Sequence, residues 1–112
     1  MSESKSSGYC MVITTVPDRN EAEKLAQGIL ENHLAACVHL SDIHSFFFWD
    51  GQIQDDNEVS LFIKTTTKRY DALESYIQEY HPYDVPEIIQ LPIIGGSPEY
   101  LAWLDATTSG SQ

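Results

Sequence analysis

The 112 residues carry 17 acidic and 6 basic side chains, a formal charge of −11, on a length suited to one domain. An apolar fraction of 42% is enough for a core, which argues against a disordered chain. The negative charge disfavours nucleic-acid partners, and no stretch approaches the roughly 20 apolar residues of a membrane span. Beyond Arg69 there is no Lys or Arg, while seven carboxylates follow between Asp71 and Asp105. Such a surface attracts cations, although acidity also simply keeps a chain in solution.

The start, residues 1–8 (MSESKSSG), is small and polar and reads as a disordered arm without an export signal. Tyr9 to Val16 is rich in β-branched residues and apolar on both parities, so a central strand is expected. Asp18 with Glu21 forms a capping box. Ala22, Leu25, Ala26, Ile29, Leu30 and His33 then recur on one helix face. Ala35 to Trp49 reads as a long strand with a bulge plausible at Ser41-Asp42. Asp50-Gly51 is a two-residue hairpin turn of the kind that needs positive φ. Gln52 to Thr66 returns as a second long strand. Thr67 caps the next helix, with Leu73, Tyr76, Ile77 and Tyr80 on its apolar face and Pro82 at its end. Glu87 to Ile94 is a fourth strand, and Pro92 places it at an edge. Ser97-Pro98 opens a short helix to Ala106, and residues 107–112 read as a disordered tail.

The order β-α-β-β-α-β plus a terminal helix predicts an α+β, ferredoxin-like split-βαβ fold over residues 9–106. It has one antiparallel sheet with helices on one face only. Phe46-Phe47-Phe48-Trp49 is apolar on both faces of its strand, more than a monomer usually exposes. Each hairpin arm is about twice the usual strand length. A projecting tip that pairs with another subunit follows, hence a homo-oligomer built through the hairpin.

Chemistry-bearing residues are sparse. Cys37 and His39 share a strand face and have the ligand types for Cu or Zn, but two ligands do not make a site, and Cys37 among small apolar residues also reads as core. A disulfide between Cys10 and Cys37 is disfavoured, because another strand separates theirs. Without an export signal, reduced thiols in the cytoplasm are expected. His81-Pro82-Tyr83-Asp84-Val85-Pro86-Glu87 is either a polar site for a metal or anion or a rigid connection. A histidine at a helix C-terminus is favoured in its cationic form. Lys64 near carboxylates has the charge to bind an anion, or is an exposed strand end. No nucleophile–base–orienter set is visible, so no enzyme is expected.

Several short pieces stand in register along nearly the whole chain. They are Leu34-Ala35-Ala36-Cys37-Val38, Trp49-Asp50-Gly51 followed by Glu58, Ile63-Lys64-Thr65, His81-Pro82-Tyr83 with Pro86-Glu87, and Tyr100-Leu101-Ala102-Trp103-Leu104. In these the sequence resembles the CutA family of divalent-ion tolerance proteins. The resemblance implies a homotrimer like the PII signalling proteins, non-enzymatic, with a role in tolerance to copper and other divalent cations. It implies that Trp49, Glu58, Lys64, His81, Tyr83 and Glu87 line clefts between subunits. It also implies that metal binding, of an ion such as Cu²⁺ weakly held, rests on Cys37 and His81. The alternative is a PII-like regulatory module that takes a small anionic ligand in the inter-subunit cleft.

Overall fold

The run YCMVITTV forms strand β1, Tyr9–Val16, in the computed structural model, which describes residues 7–109. Helix α1, Arg19–Glu31, follows, and the Asp18 carboxylate accepts the Glu21 N–H at 2.8 Å as its N-cap. Its buried stripe is Ala22, Leu25 and Ile29. Leu30 stays exposed, and His33 lies beyond the helix end at φ 57°. There the His33 N–H donates to the Leu30 carbonyl and the Leu34 N–H to that of Ile29. This is a Schellman closure, with buried Leu34 as its apolar contact.

Strands β2, Cys37–Trp49, and β3, Gln52–Thr66, form the long hairpin. The turn residues Asp50 and Gly51 have φ of 56° and 76°, as a primed hairpin turn requires. The bulge expected at Ser41-Asp42 is absent, and pairing runs one to one from Cys37↔Lys64 to Trp49↔Gln52. The polar residues fit the ladder because Ser41 stands opposite Ser60 while Asp42 accepts the Arg19 guanidinium at 2.7 Å. Thr67 is not a cap. It opens a 3₁₀ turn, Thr67–Arg69, and α2 then covers Tyr70–Tyr80. Strand β4 is Ile89–Ile93, shorter than expected, since Ile88 packs against the core.

The sheet order is β2-β3-β1-β4, with every pairing antiparallel. Pro92 thus sits in an edge strand, where a missing N–H is harmless. Cys10 and Cys37 lie on strands separated by β3 and are free thiols. Val12 and Val16 of β1 and Val59, Leu61 and Ile63 of β3 face α1 and α2. They form one core with Ile29, Leu73 and Ile77. Burial of such side chains is worth about 1.5–3 kcal/mol each and is the main favourable contribution to the fold.

Helix α3 corrects two expectations. It runs Pro98–Ser109, past Ala106, because the Arg69 guanidinium donates twice to the Thr108 carbonyl, at 3.0 and 2.9 Å, and holds the last turn. Residues 110–112 of the expected tail lie outside the described residues. The helix also lies on the sheet face opposite α1 and α2. Its Tyr100 ring is 6.0 Å from the Lys64 ammonium, and Lys64 projects away from the core side of β3. The helices therefore occupy both faces. At the other terminus, residues 1–6 of the expected arm lie outside the described residues. Ser7 and Gly8 are anchored, the Ser7 hydroxyl on the Ile93 carbonyl and the Gly8 carbonyl on the Thr67 N–H.

Strand β1 pairs with β3 only from Thr66 back to Val59. Gln52–Glu58 therefore extend past the sheet with β2 alone, a projection of roughly 20 Å. Phe46, Phe48, Trp49 and Ile53 on this projection are 69–76% exposed.

Candidate functional site

The pre-proline restriction ends α2 and puts His81 in an extended conformation, φ −79° and ψ 139°. That turns its ring inward. Nδ1 accepts the Tyr83 N–H at 3.1 Å, so the proton sits on Nε2, which donates to the Thr15 carbonyl at 2.8 Å. The ring is buried, and burial pushes its pKa down despite the Thr15 carbonyl, Glu21 and Glu58. His81 is thus a neutral strut, not the helix-end cation expected from the sequence. Desolvation of the buried ring outweighs the neighbours that favour its charged form.

Tyr83 sits on this strut, its ring 5.0 Å from that of His81. Its hydroxyl donates to Glu58 Oε2 at 2.8 Å. Burial, then the bond to and charge of Glu58, hold the phenol well above its ordinary range. Between this loop and the hairpin tip opens a cleft of about 990 Å³. Phe47, Trp49, Asp56 and Glu58 line the hairpin side, and Tyr83, Asp84 and Glu87 the loop side. The structure therefore brings together Trp49, Glu58, Tyr83 and Glu87 of the expected site residues. It also adds Asp56 and, from the His81–Glu87 segment, Asp84. His81 supports the cleft from beneath.

Lys64 is not in that cleft. Register pairs it with Cys37 at the base of the hairpin. Cys37 Sγ is 3.5 Å from His39 Nε2, and His39 Nδ1 is 3.3 Å from Lys64 Nζ. Tyr100 of α3 closes the group, its ring 6.0 Å from the Lys64 ammonium. Burial, and then Cys37, hold its hydroxyl above the ordinary value. The sequence placed Cys37 and His39 on one face, but only the cross-strand register and α3 add Lys64 and Tyr100.

Within one chain Cys37 and His81 stand apart. Lys64, beside Cys37, stands four positions along β3 from Ser60, the partner of Thr15, roughly 13 Å away. Both nitrogens of the His81 ring are also engaged within the chain. Among the described residues no three His, Cys, Asp or Glu side chains are grouped to hold an ion.

A family model described as "CutA1 divalent ion tolerance protein" matches residues 10–107. The chain belongs to the CutA family. "Divalent-cation tolerance protein CutA" of Pectobacterium atrosepticum is 40% identical over 98 residues, 87% of this chain and 89% of that protein. "Protein CutA, chloroplastic" of Arabidopsis thaliana is 43% identical over 94% of this chain, which spans 58% of the plant protein. Among solved CutA structures, the "periplasmic divalent cation tolerance protein CutA" of Archaeoglobus fulgidus superposes with a TM-score of 0.88 at 35% identity. That match covers 89% of this chain and 98% of the other. CutA1 of Oryza sativa gives 0.87 at 41% identity, over 93% and 96%. The CutA fold expected from the in-register motifs is thus the observed one. Among the described residues no helix is long and apolar enough to cross a membrane.

Proposed function

We propose that this chain acts in divalent-cation tolerance as a homotrimer, gathering ions such as Cu²⁺ at its acidic cleft without catalysing a reaction. The observation that carries this reading is the cleft lining. Asp56, Glu58, Asp84 and Glu87 face one opening that no Lys or Arg borders. Carboxylate oxygens suit hard divalent ions, with water filling the remaining positions. One chain does not close a coordination shell, so binding is weak unless a neighbouring subunit contributes. The projecting apolar tip supports assembly: Phe46, Phe48, Trp49 and Ile53 are far more exposed than a monomer tolerates as a patch. Two free thiols fit a reducing compartment such as the cytoplasm.

The competing reading, a small anionic ligand in an inter-subunit cleft, draws less support from this cleft, which no Lys or Arg borders within the chain, since Lys64 lies beside His39 and Tyr100.

Equilibrium dialysis against Cu²⁺ and Zn²⁺ tests the proposal. A variant carrying Asp56→Asn, Asp84→Asn and Glu87→Gln is expected to lose most of the bound ion. A control with Glu23→Gln, Asp71→Asn and Glu74→Gln, on the helices, is expected to keep it. Equal loss in both variants would reduce the effect to general surface charge and sink the cleft as the site.

A further inference from the structure

We propose that the outer groove between α1 and α2 docks an arginine-bearing basic segment of a partner protein. The two walls differ in chemistry. Glu21, Lys24, Gly28 and Glu31 recur at i, i+3, i+7 and i+10 on α1 and form one stripe along the groove. Tyr76 and Tyr80 of α2 stand opposite at i and i+4. The groove has a volume of about 370 Å³.

Gly28 sets its shape. The Tyr76 hydroxyl reaches α1 at a point where a Cβ would stand only 1.9 Å from it. Tyr80 packs on Tyr76, with ring centroids 4.6 Å apart and planes at 40°, yet remains 57% exposed. An aromatic face open to water in this way attracts a cation. Burial, and then the neighbouring Tyr80, Glu31 and Glu79, hold the Tyr76 phenol above its ordinary value. Carboxylates of both helices therefore stand round the ring pair.

Charge selects the occupant. Glu21, Glu31 and Glu79 outnumber Lys24 here, and none of them belongs to the ion pairs among the described residues, Arg19–Asp42 and His44–Asp55. An anion is repelled. Glu21 and Glu31 lie roughly 15 Å apart along the helix, too far to share one metal ion. That spacing suits about five residues of extended chain with a charge at each end. Arginine fits better than lysine, because its planar guanidinium both stacks on an aromatic face and pairs with a carboxylate. A second copy of this chain does not supply it. Arg19 is held by Asp42 and Arg69 by the Thr108 carbonyl, and the sequence has no other arginine. The partner is therefore a different protein. No residue of the β2–β3 hairpin lines the groove, so assembly through the hairpin leaves it open.

The native protein, isotope-labelled for NMR, is to be titrated with a blocked peptide that has arginine at each end of an Ala-Gly-Ser-Ala spacer, and separately with its lysine counterpart. The expected result is saturable shifts at Gly28, Tyr76 and Tyr80, with the lysine peptide bound about threefold more weakly. Tyr80→Leu, which keeps apolar bulk but removes the ring, is expected to cost the arginine peptide about threefold. Glu21→Gln, Glu31→Gln and Glu79→Gln together are expected to weaken both peptides about tenfold, and Lys24→Gln to tighten both. A control with Glu99→Gln and Asp105→Asn on α3 is expected to bind like the parent. Shifts confined to the acidic cleft, no saturable shift at all, a lysine peptide bound as tightly as the arginine one, or equal loss in the α3 control would overturn the proposal. Groove shifts on concentrating the protein alone would make a second copy the occupant and overturn it too.

Discussion

Two histidines show how the same side chain is tuned in opposite directions. An unfolded imidazole titrates near 6.5. Burial holds His81 below that value, so in the window beneath about 6.5 the unfolded chain takes up a proton that the folded chain refuses. The stability linked to His81 is complete above that pH and falls as the solution is acidified. His44 lies on the exposed hairpin, with Nδ1 2.6 Å from Asn57 Oδ1 and Nε2 2.7 Å from Asp55 Oδ2. These two bonds raise its pKa, with a lesser contribution from the charges of Asp55 and Asp56, and together they outweigh desolvation. Its contribution is present below about 6.5 and is lost as pH rises through the raised value. Urea midpoints measured from about pH 5 to pH 8 should show this. His81→Gln should lose the acid-side decline, and His44→Gln the alkaline-side one. If both variants follow the parent's pH curve, the assignment is wrong. His81→Ala should also cost about 1–3 kcal/mol, because it strands the buried Thr15 carbonyl and the Tyr83 N–H.

At the scale of elements, helix packing reverses the meaning of Gly28. In sequence it looks like a propensity defect of roughly 1 kcal/mol in α1. In the fold, a Cβ at that position would stand 1.9 Å from the Tyr76 hydroxyl of α2. The glycine is what lets the two helices approach. Gly28→Ala should therefore bring no net stabilisation by itself. Combined with Tyr76→Ala, it should stabilise by about 1 kcal/mol relative to Tyr76→Ala alone. A double-mutant cycle in urea measures this, and a full gain in the single variant would show that Tyr76 yields freely. The α1 face was legible because Ala22, Leu25 and Ile29 repeat with the helix period. The length of α3 was not, since the contact from Arg69 to Thr108 spans distant parts of the chain.

For the whole molecule, charge and apolar surface pull against each other. Three chains of −11 sum to 3 × (−11) = −33, so the proposed trimer forms against its own repulsion and must rest on the apolar hairpin. Raising the salt from about 10 to 150 mM shortens the screening length from roughly 30 to 8 Å and should strengthen assembly. Trp49→Ala should weaken it by about 2 kcal/mol or more, as expected of a buried interface aromatic. Sedimentation equilibrium across the salt series checks both. A parent chain that sediments at 12.6 kDa would end the trimer reading, and an unaffected Trp49→Ala would move the contact elsewhere on the hairpin.

The sequence by itself determined the elements, the turn at Asp50-Gly51, the edge position of Pro92 and the core stripes. These depend on backbone sterics and periodicity, which act over a few residues. It also carried the family, because several short motifs stand in order along the chain. Tertiary structure decided the rest. Whether His81 is charged depends on what buries it. Whether Lys64 lies at the acidic cleft or beside Cys37 depends on strand register, and whether α3 shares the core face depends on packing. Ionisation, register and layer assignment are set by neighbours distant in the chain, and local pattern does not encode them.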